Sequence, residues 1–422
     1  MFNLNKKLPD KNRGVAELLG EELETFHPIG GQSLIDSQGN SVRQIPQEFS
    51  DDNKVELEFQ LSQNVINLEA LQHLACRGLL EGREHRATIW KLLLGYLPVE
   101  RDSWERELVS NRIRYAELKE ELLVNPAVRN LDNREETSSP RKQCGKSYND
   151  ELLSRIEIIN GDHPLSISSN SIWNQFFKDV EIVEQIDRDL PRTHPDIEFF
   201  SADSPLSQKH LEAMRNILLL FAKLNPAIGY VQGMNELLAP LFYVFRTDPD
   251  EKNGSYAEAD SFACFVRLLS HSMDHFCQQL DYSSTGIHST LSRLSQLLKA
   301  NDIDLWQHLD NLKVNPQFYA FRWITLLLTQ EFKFHYIMGI WDCLLSNHLG
   351  VQDMLLRVCC AMLVCVKKEL LVGDFASNLK LLQHYPEIDL KYLLHVAHQL
   401  TPSCSDSLGC FQNNKGIVKL FK

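Results

Sequence analysis

The spacing of apolar residues constrains this chain more than any other feature. They recur three and four positions apart along most of its length, and alternating patterns are almost absent. Val65, Leu68, Leu71 and Leu74 set the rhythm early; Phe262, Phe265, Leu268 and Leu269, then Leu291, Leu294, Leu297 and Leu298, repeat it. No block of 20 to 50 residues recurs, which disfavours a solenoid. An all-α domain over about residues 65–400 is the direct expectation. Residues 1–60 are polar and expected to be mostly disordered, with a short helix near Val15 to Leu23. A stretch at about 125–150 reads as a flexible insertion, and 401–422 as a polar tail with an unassigned apolar run, Val418 to Phe421.

Composition removes several classes. The chain has 422 residues and a net charge of −13, which disfavours a nucleic-acid binder because no basic stripe can neutralise phosphates. The most apolar run, Val358 to Val366, is far short of the about 20 residues a membrane helix needs, and Lys367-Lys368 ends it. Met1 to Lys7 has no apolar signal-peptide core, and neither lipidation pattern is present. Cys264, Cys343, Cys359, Cys360 and Cys365 lie in apolar helical runs, as reduced core thiols do.

Two stretches stand apart from this helical background. The first is Leu224-Asn225-Pro226-Ala227-Ile228-Gly229-Tyr230-Val231-Gln232-Gly233-Met234-Asn235-Glu236. Apolar runs enter and leave it. Asn225-Pro226 stops the first helix, and Gly229 and Gly233 free the backbone around Tyr230 and Gln232. The second is Asp189-Leu190-Pro191-Arg192-Thr193-His194-Pro195, where two prolines make a sharp, stiff exit from a helix and place Arg192 just beyond it. Each side chain alone reads as readily as an ordinary surface or capping residue. Further on, Asn315-Pro316 starts an apolar helical stripe, Phe318, Phe321, Trp323, Leu326 and Leu327, expected to run to Gln330-Glu331-Phe332.

Other chemistry finds little support. His271 and His275 are four apart, as in some metal sites, but no Glu stands in the required place and no third ligand is in view; a packed or solvated pair is the alternative. Gly145-Lys146-Ser147 lacks the upstream glycine of a phosphate loop, since Pro140 stands there. There is no Gly-x-Ser-x-Gly elbow. An arginine beyond a helix and a glutamine on a corner suit one reaction class directly. Phosphoryl transfer needs positive charge on the developing phosphate charge and a group that aligns the attacking water.

Here the residues resemble a known family. Ile186-x-x-Asp189-x-x-Arg192 and Tyr230-x-Gln232 look like the two fingerprint motifs of the TBC-domain Rab GTPase-activating proteins. Arg86-x-x-x-Trp90 resembles the family's first motif, and Trp323, Glu331 and Trp341-Asp342 its later landmarks, all in the family's order. The resemblance covers roughly residues 75–400. It implies two helical lobes forming a groove for a GTP-bound Rab. It implies a dual finger, with Arg192 stabilising charge on the γ-phosphoryl group and Gln232 standing in for the GTPase's own glutamine to position water. Tyr230 and Gly233 would shape the loop and meet the switch region, with Gly229 and Asn235 also supporting or contacting the GTPase. Asp189 and Arg86 would buttress Arg192, Trp90 would pack beneath them, and Ile186 would be core. The chain would need no cofactor of its own, GTP and Mg²⁺ coming with the Rab. It would have no independent catalytic activity. A cytoplasmic protein is implied, peripheral on endomembranes through the lipidated Rab, in vesicle trafficking. A non-catalytic helical Rab-binding platform or trafficking scaffold stays open beside it. Pro191 and the 125–150 insertion depart from the family pattern.

Overall fold

A computed structural model describes residues 50–76, 79, 83–123, 172–270 and 286–401. Among these residues the chain is helix and turn, with a single isolated antiparallel bridge between Val65 and Glu100. The helices are α1 (Ser50–Ser62), α2 (Leu68–Ala75), α3 (Arg83–Leu93), α4 (Trp104–Leu123), α5 (Ile172–Asp189), α6 (Pro205–Leu224), α7 (Met234–Arg246), α8 (Glu251–Ser255) and α9 (Ala257–Ser270). They continue with α10 (Ile287–Asn301), α11 (Ile303–Asn311), α12 (Ala320–Thr325), α13 (Phe334–Ser346), α14 (Val351–Cys365), α15 (Lys367–Val372), α16 (Phe375–Gln383) and α17 (Leu390–Gln399).

The all-α expectation holds, and two helical groups emerge from the packing. In the first, α6 packs against α4, α5, α7 and α9. In the second, α14 packs against α10, α12, α13 and α17. Their apolar faces meet in one continuous buried cluster that includes Trp90, Ile186, Phe221, Phe265, Trp323 and Trp341. A smaller satellite core forms where α1 and α2 lie near α3, around Leu57, Leu61, Leu71 and Ile89. The span 1–60 was expected outside the fold, yet α1 begins at Ser50. Leu57 and Leu61, four apart, anchor this otherwise charged helix, and two anchors are a weak sequence signal. Residues 1–49, the 125–150 insertion, the His271/His275 pair and the 402–422 tail lie outside the described residues.

Helix α3 joins the groups through two buried carboxylates. On one side, Asp342 of α13 accepts from Arg86 Nε and Nη2, each at 3.0 Å, from Trp90 Nε1 at 2.8 Å and from the Leu79 N–H at 3.0 Å. Burial pushes the Asp342 carboxyl up, and Arg86 beside it opposes that shift. On the other side, Asp260 of α9 accepts from Lys91 at 2.7 Å, from Tyr96 at 2.8 Å and from both arms of Arg112. Burial opposes its charge too, yet Arg112 and Lys91 hold it below the ordinary carboxylate range.

The expected helix from Pro316 to Phe332 is broken. A 3₁₀ turn, Pro316–Phe318, precedes the six-residue α12, and Leu327 and Leu328 then adopt φ +48° and +65°. Left-handed backbone at a residue with a Cβ costs about 1–2 kcal/mol each. One bond from a later helix and one local bond hold it: Trp341 Nε1 donates to Leu327 O at 3.2 Å, and Leu328 N–H returns to Trp323 O at 3.0 Å.

Replacing Asp342 by Ala would strand the Arg86 guanidinium and the Trp90 and Leu79 N–H groups without an acceptor. The expected loss is about 3–5 kcal/mol in urea unfolding. A loss below about 1 kcal/mol would show that this clamp does not join the helical groups.

Candidate functional site

The two punctuated loops come together in the first helical group. The first follows α5. Its residues Leu190–Arg192 form a 3₁₀ turn with Pro191 in the opening positions, where a missing N–H costs nothing. The chain then turns through His194, at φ +44°, a value non-glycine residues seldom adopt. Ring contacts fix the loop beyond. Phe334 meets His194 edge-on with centroids 4.8 Å apart, and it also packs on Phe200 and Tyr243.

The second loop links α6 to α7. α6 starts with a reciprocal capping box between Ser204 and Ser207 and ends at Asn225, whose side chain bonds Phe221 O. Gly229 (φ +66°) and Gly233 (φ +104°) make the bends the sequence suggested. Gly233 is also packed: a Cβ there would lie 2.5 Å from Leu326 Cδ2.

A closed ring of buried hydrogen bonds stitches the loops together. The Tyr230 hydroxyl donates to Asp189 Oδ2 at 2.9 Å and reaches Asn235 Oδ1 at 3.2 Å. Asn235 Oδ1 also accepts the Gly233 N–H, while its amide donates to Thr193 Oγ1 at 2.9 Å. The Thr193 hydroxyl donates onward to Asp189 O. Burial, then the bond to Asp189 and its charge, push the Tyr230 phenol far above its ordinary range, so it stays a donor.

On this base stand two polar side chains that belong to neither core nor ring. Arg192 and Gln232 are both exposed. Among the described residues neither side chain makes a hydrogen bond or an ion pair. Arg192 lies between Asp189 and Thr193; Gln232 lies between Tyr230 and Asn235. The ring thus fixes the backbone of both loops while leaving both head groups available to a partner. A long cation and a neutral amide presented this way can stabilise negative charge and orient water.

Several expected roles differ. Arg86 does not buttress Arg192; its donors go to Asp342 and to Leu79 O. Asp189 does not pair with Arg192 either. It is buried and turned inward to Tyr230, so it supports the loop rather than the cation. Trp90 is fully buried, bonded to Asp342 and packed on Trp341 at 5.8 Å. Ile186 is core, as expected. Thr193 escaped the sequence reading, although it directly follows Arg192. Among the described residues no cluster of His, Cys, Asp and Glu is arranged to hold a metal ion, and no helix is long and apolar enough to cross a membrane.

The arrangement is an all-helical fold among the described residues, with two exposed polar head groups on loops bonded to one another. Residues 83–371 match the family model described as the Rab-GTPase-TBC domain. The chain is 34% identical over 403 residues to TBC1 domain family member 13 of Homo sapiens, covering 81% of this chain and 96% of that one. It is 29% identical over 301 residues to the GTPase-activating protein GYP1 of Saccharomyces cerevisiae, covering 67% of this chain and 38% of that protein. In structure it is similar to the crystal structure of the Ypt/Rab-GAP domain of Gyp1p, with TM-score 0.61 and 26% identity over 82% of this chain and 97% of that chain. The chain belongs to the Rab-GTPase-TBC domain family.

Beneath the ring lies a buried carboxyl. Glu236 Oε2 is 3.4 Å from His194 Nε2, without hydrogen-bond geometry. Burial lowers the imidazole to about 4 and raises the carboxyl from 4.5 to about 7, so the contact is not a full ion pair at neutral pH. The Gln330 side chain favours the charged carboxyl and the Asp189 charge disfavours it. The folded state binds this proton more tightly than the unfolded chain does. The Glu236 contribution to stability is therefore lost as pH rises from about 4.5 through about 7, while the neutral imidazole of His194 works in the opposite sense between about 4 and 6.5. Glu236→Gln removes that loss: it should be more stable than wild type by about 1–3 kcal/mol at pH 8, with the advantage nearly gone at pH 5. Denaturant unfolding at both pH values checks this, and an equal effect at both would contradict it.

Proposed function

We propose that this chain is a GTPase-activating protein for Rab-family GTPases. The carrying observation is the pair of exposed, unpaired head groups, Arg192 and Gln232, on loops bonded to one another. A relative named as a GTPase-activating protein and the family membership support the same reading. The partner is a GTP-loaded Rab, which brings its own nucleotide and Mg²⁺.

In this reading the chain supplies two groups in trans. Arg192 places its guanidinium against the γ-phosphoryl oxygens as charge develops on them. Gln232 aligns the attacking water through its amide. Neither residue exchanges a proton or forms a bond. Their contribution is positioning and electrostatics in a site that the docked GTPase closes from water. The buried ring keeps both loops from reorganising at that moment, which is what makes such groups effective. The activity places the protein in vesicle trafficking, with its approach to membranes made through the lipidated GTPase.

The test is single-turnover GTP hydrolysis on a panel of GTP-loaded Rabs, with wild type, Arg192→Ala and Gln232→Ala. Stimulation of one or a few Rabs is expected. Arg192→Ala should lower it by about 10³- to 10⁵-fold. Because Arg192 is exposed and unpaired, that variant should keep its stability within about 1 kcal/mol. Rab binding without stimulation by wild type would instead establish a non-catalytic platform.

A further inference from the structure

The segment 326–334 of the second helical group reaches the site. Three of its side chains reach neighbours of the two presented head groups. Leu326, itself buried, closes over Gly233, where a Cβ would lie 2.5 Å from its Cδ2. Gln330 faces the Glu236 carboxyl and favours its charged form. Phe334 lies edge-on against His194, two residues beyond Arg192. The segment is held in an unusual shape. Leu327 and Leu328 are consecutive buried residues with positive φ, where glycine would be the ordinary choice. Trp341 donates to Leu327 O, and Thr329 returns both its N–H and its hydroxyl to Leu326 O, at 3.0 and 2.9 Å. Backbone strain kept by several independent contacts is a feature of sites whose geometry matters.

We propose that Leu326 is a positioning residue for Gln232, with the left-handed turn behind it as its support. The proposal rests on the reading of Gln232 as the group that aligns water. Gly233 directly follows Gln232, and its φ of +104° leaves the peptide between them able to pivot. The Leu326 methyl fills the space into which Gly233 would move. Pressed from one side by Leu326 and bonded from the other through its N–H to Asn235, Gly233 holds Gln232 at one orientation. The segment comes from the helical group that does not carry Arg192 or Gln232, so the packing of the two groups sets the geometry of the glutamine loop. A plain core leucine would add stability without acting through Gln232.

The experiment uses the full chain and the GTP-loaded Rab that the panel shows to be stimulated most. It compares Leu326→Ala, Gln232→Ala, the double variant and the conservative Leu326→Met, measuring kcat and KM. Amide hydrogen exchange over 229–236 is followed in parallel without the GTPase. Leu326→Ala should lower kcat by about 10- to 100-fold, since misplacement of about 1 Å has that effect. KM should change less than about twofold, and exchange over 229–236 should quicken. Leu326→Met should recover most of the rate. In the Gln232→Ala background, removing Leu326 should change nothing further. An additive loss in the double variant, a change confined to KM, or unchanged exchange would overturn the positioning role and leave the dual-finger reading standing. Should Leu326→Ala fail to fold, Leu326→Val carries the same comparisons. If Gln232→Ala leaves the rate unchanged, the reading of Gln232 fails and this proposal falls with it.

Discussion

The site depends on one phenol. Tyr230 has a single proton to donate and offers it between Asp189 and Asn235, in a place where water does not compete. A buried carboxylate without its donor is far more costly than a lost neutral hydrogen bond, so this contact constrains both loops at once. Asp189 precedes the arginine turn, and Asn235 lies in the first turn of the helix after the glutamine loop. Elements 41 residues apart are therefore held in register by one oxygen. Arg192 and Gln232 take no part in this ring. Their orientation is inherited from neighbours, which leaves their own donors and acceptors open to a partner.

A second constraint lies deeper. α3 carries Arg86 and Trp90 to Asp342 in one helical group, and Lys91 to Asp260 in the other. Buried charges of this kind add little net stability, because desolvation offsets much of their attraction, yet removing one partner is costly because it leaves the other buried and unpaired. Trp341, the neighbour of Asp342, extends the clamp to the strained turn by bonding Leu327 O. From there Leu326 reaches Gly233. A path of packed and bonded groups thus runs from the clamp between helical groups to the residue beside Gln232.

Much of this was legible in the sequence, and the remainder was hidden for physical reasons. Helical periodicity gave the fold class, since nearly every helix buries one face. Asn225-Pro226 and the two glycines marked the glutamine corner, and Pro191 with Pro195 marked the arginine turn, because backbone restriction is a local property. The partner of Arg86 was not legible: Asp342 lies 256 residues away, and no spacing rule connects them. The break at Leu327-Leu328 was equally hidden. Leucine carries no turn signal, and its left-handed backbone is imposed by Trp341 and Trp323 from outside the segment. Thr193 looked like an ordinary loop residue, because its value to the ring appears only once Asn235 is beside it.

The most direct test of the central claim is a crystal structure of the chain with a stimulated Rab loaded with GDP and aluminium fluoride, a mimic of the transferring phosphoryl group. The account predicts the Arg192 guanidinium and the Gln232 amide both within hydrogen-bond reach of the fluorides or the attacking water. It also predicts that the bonds from Tyr230 to Asp189 and from Asn235 to Thr193 are unchanged from the free chain. Gln232 turned away, with the GTPase's own glutamine aligning the water, would contradict it.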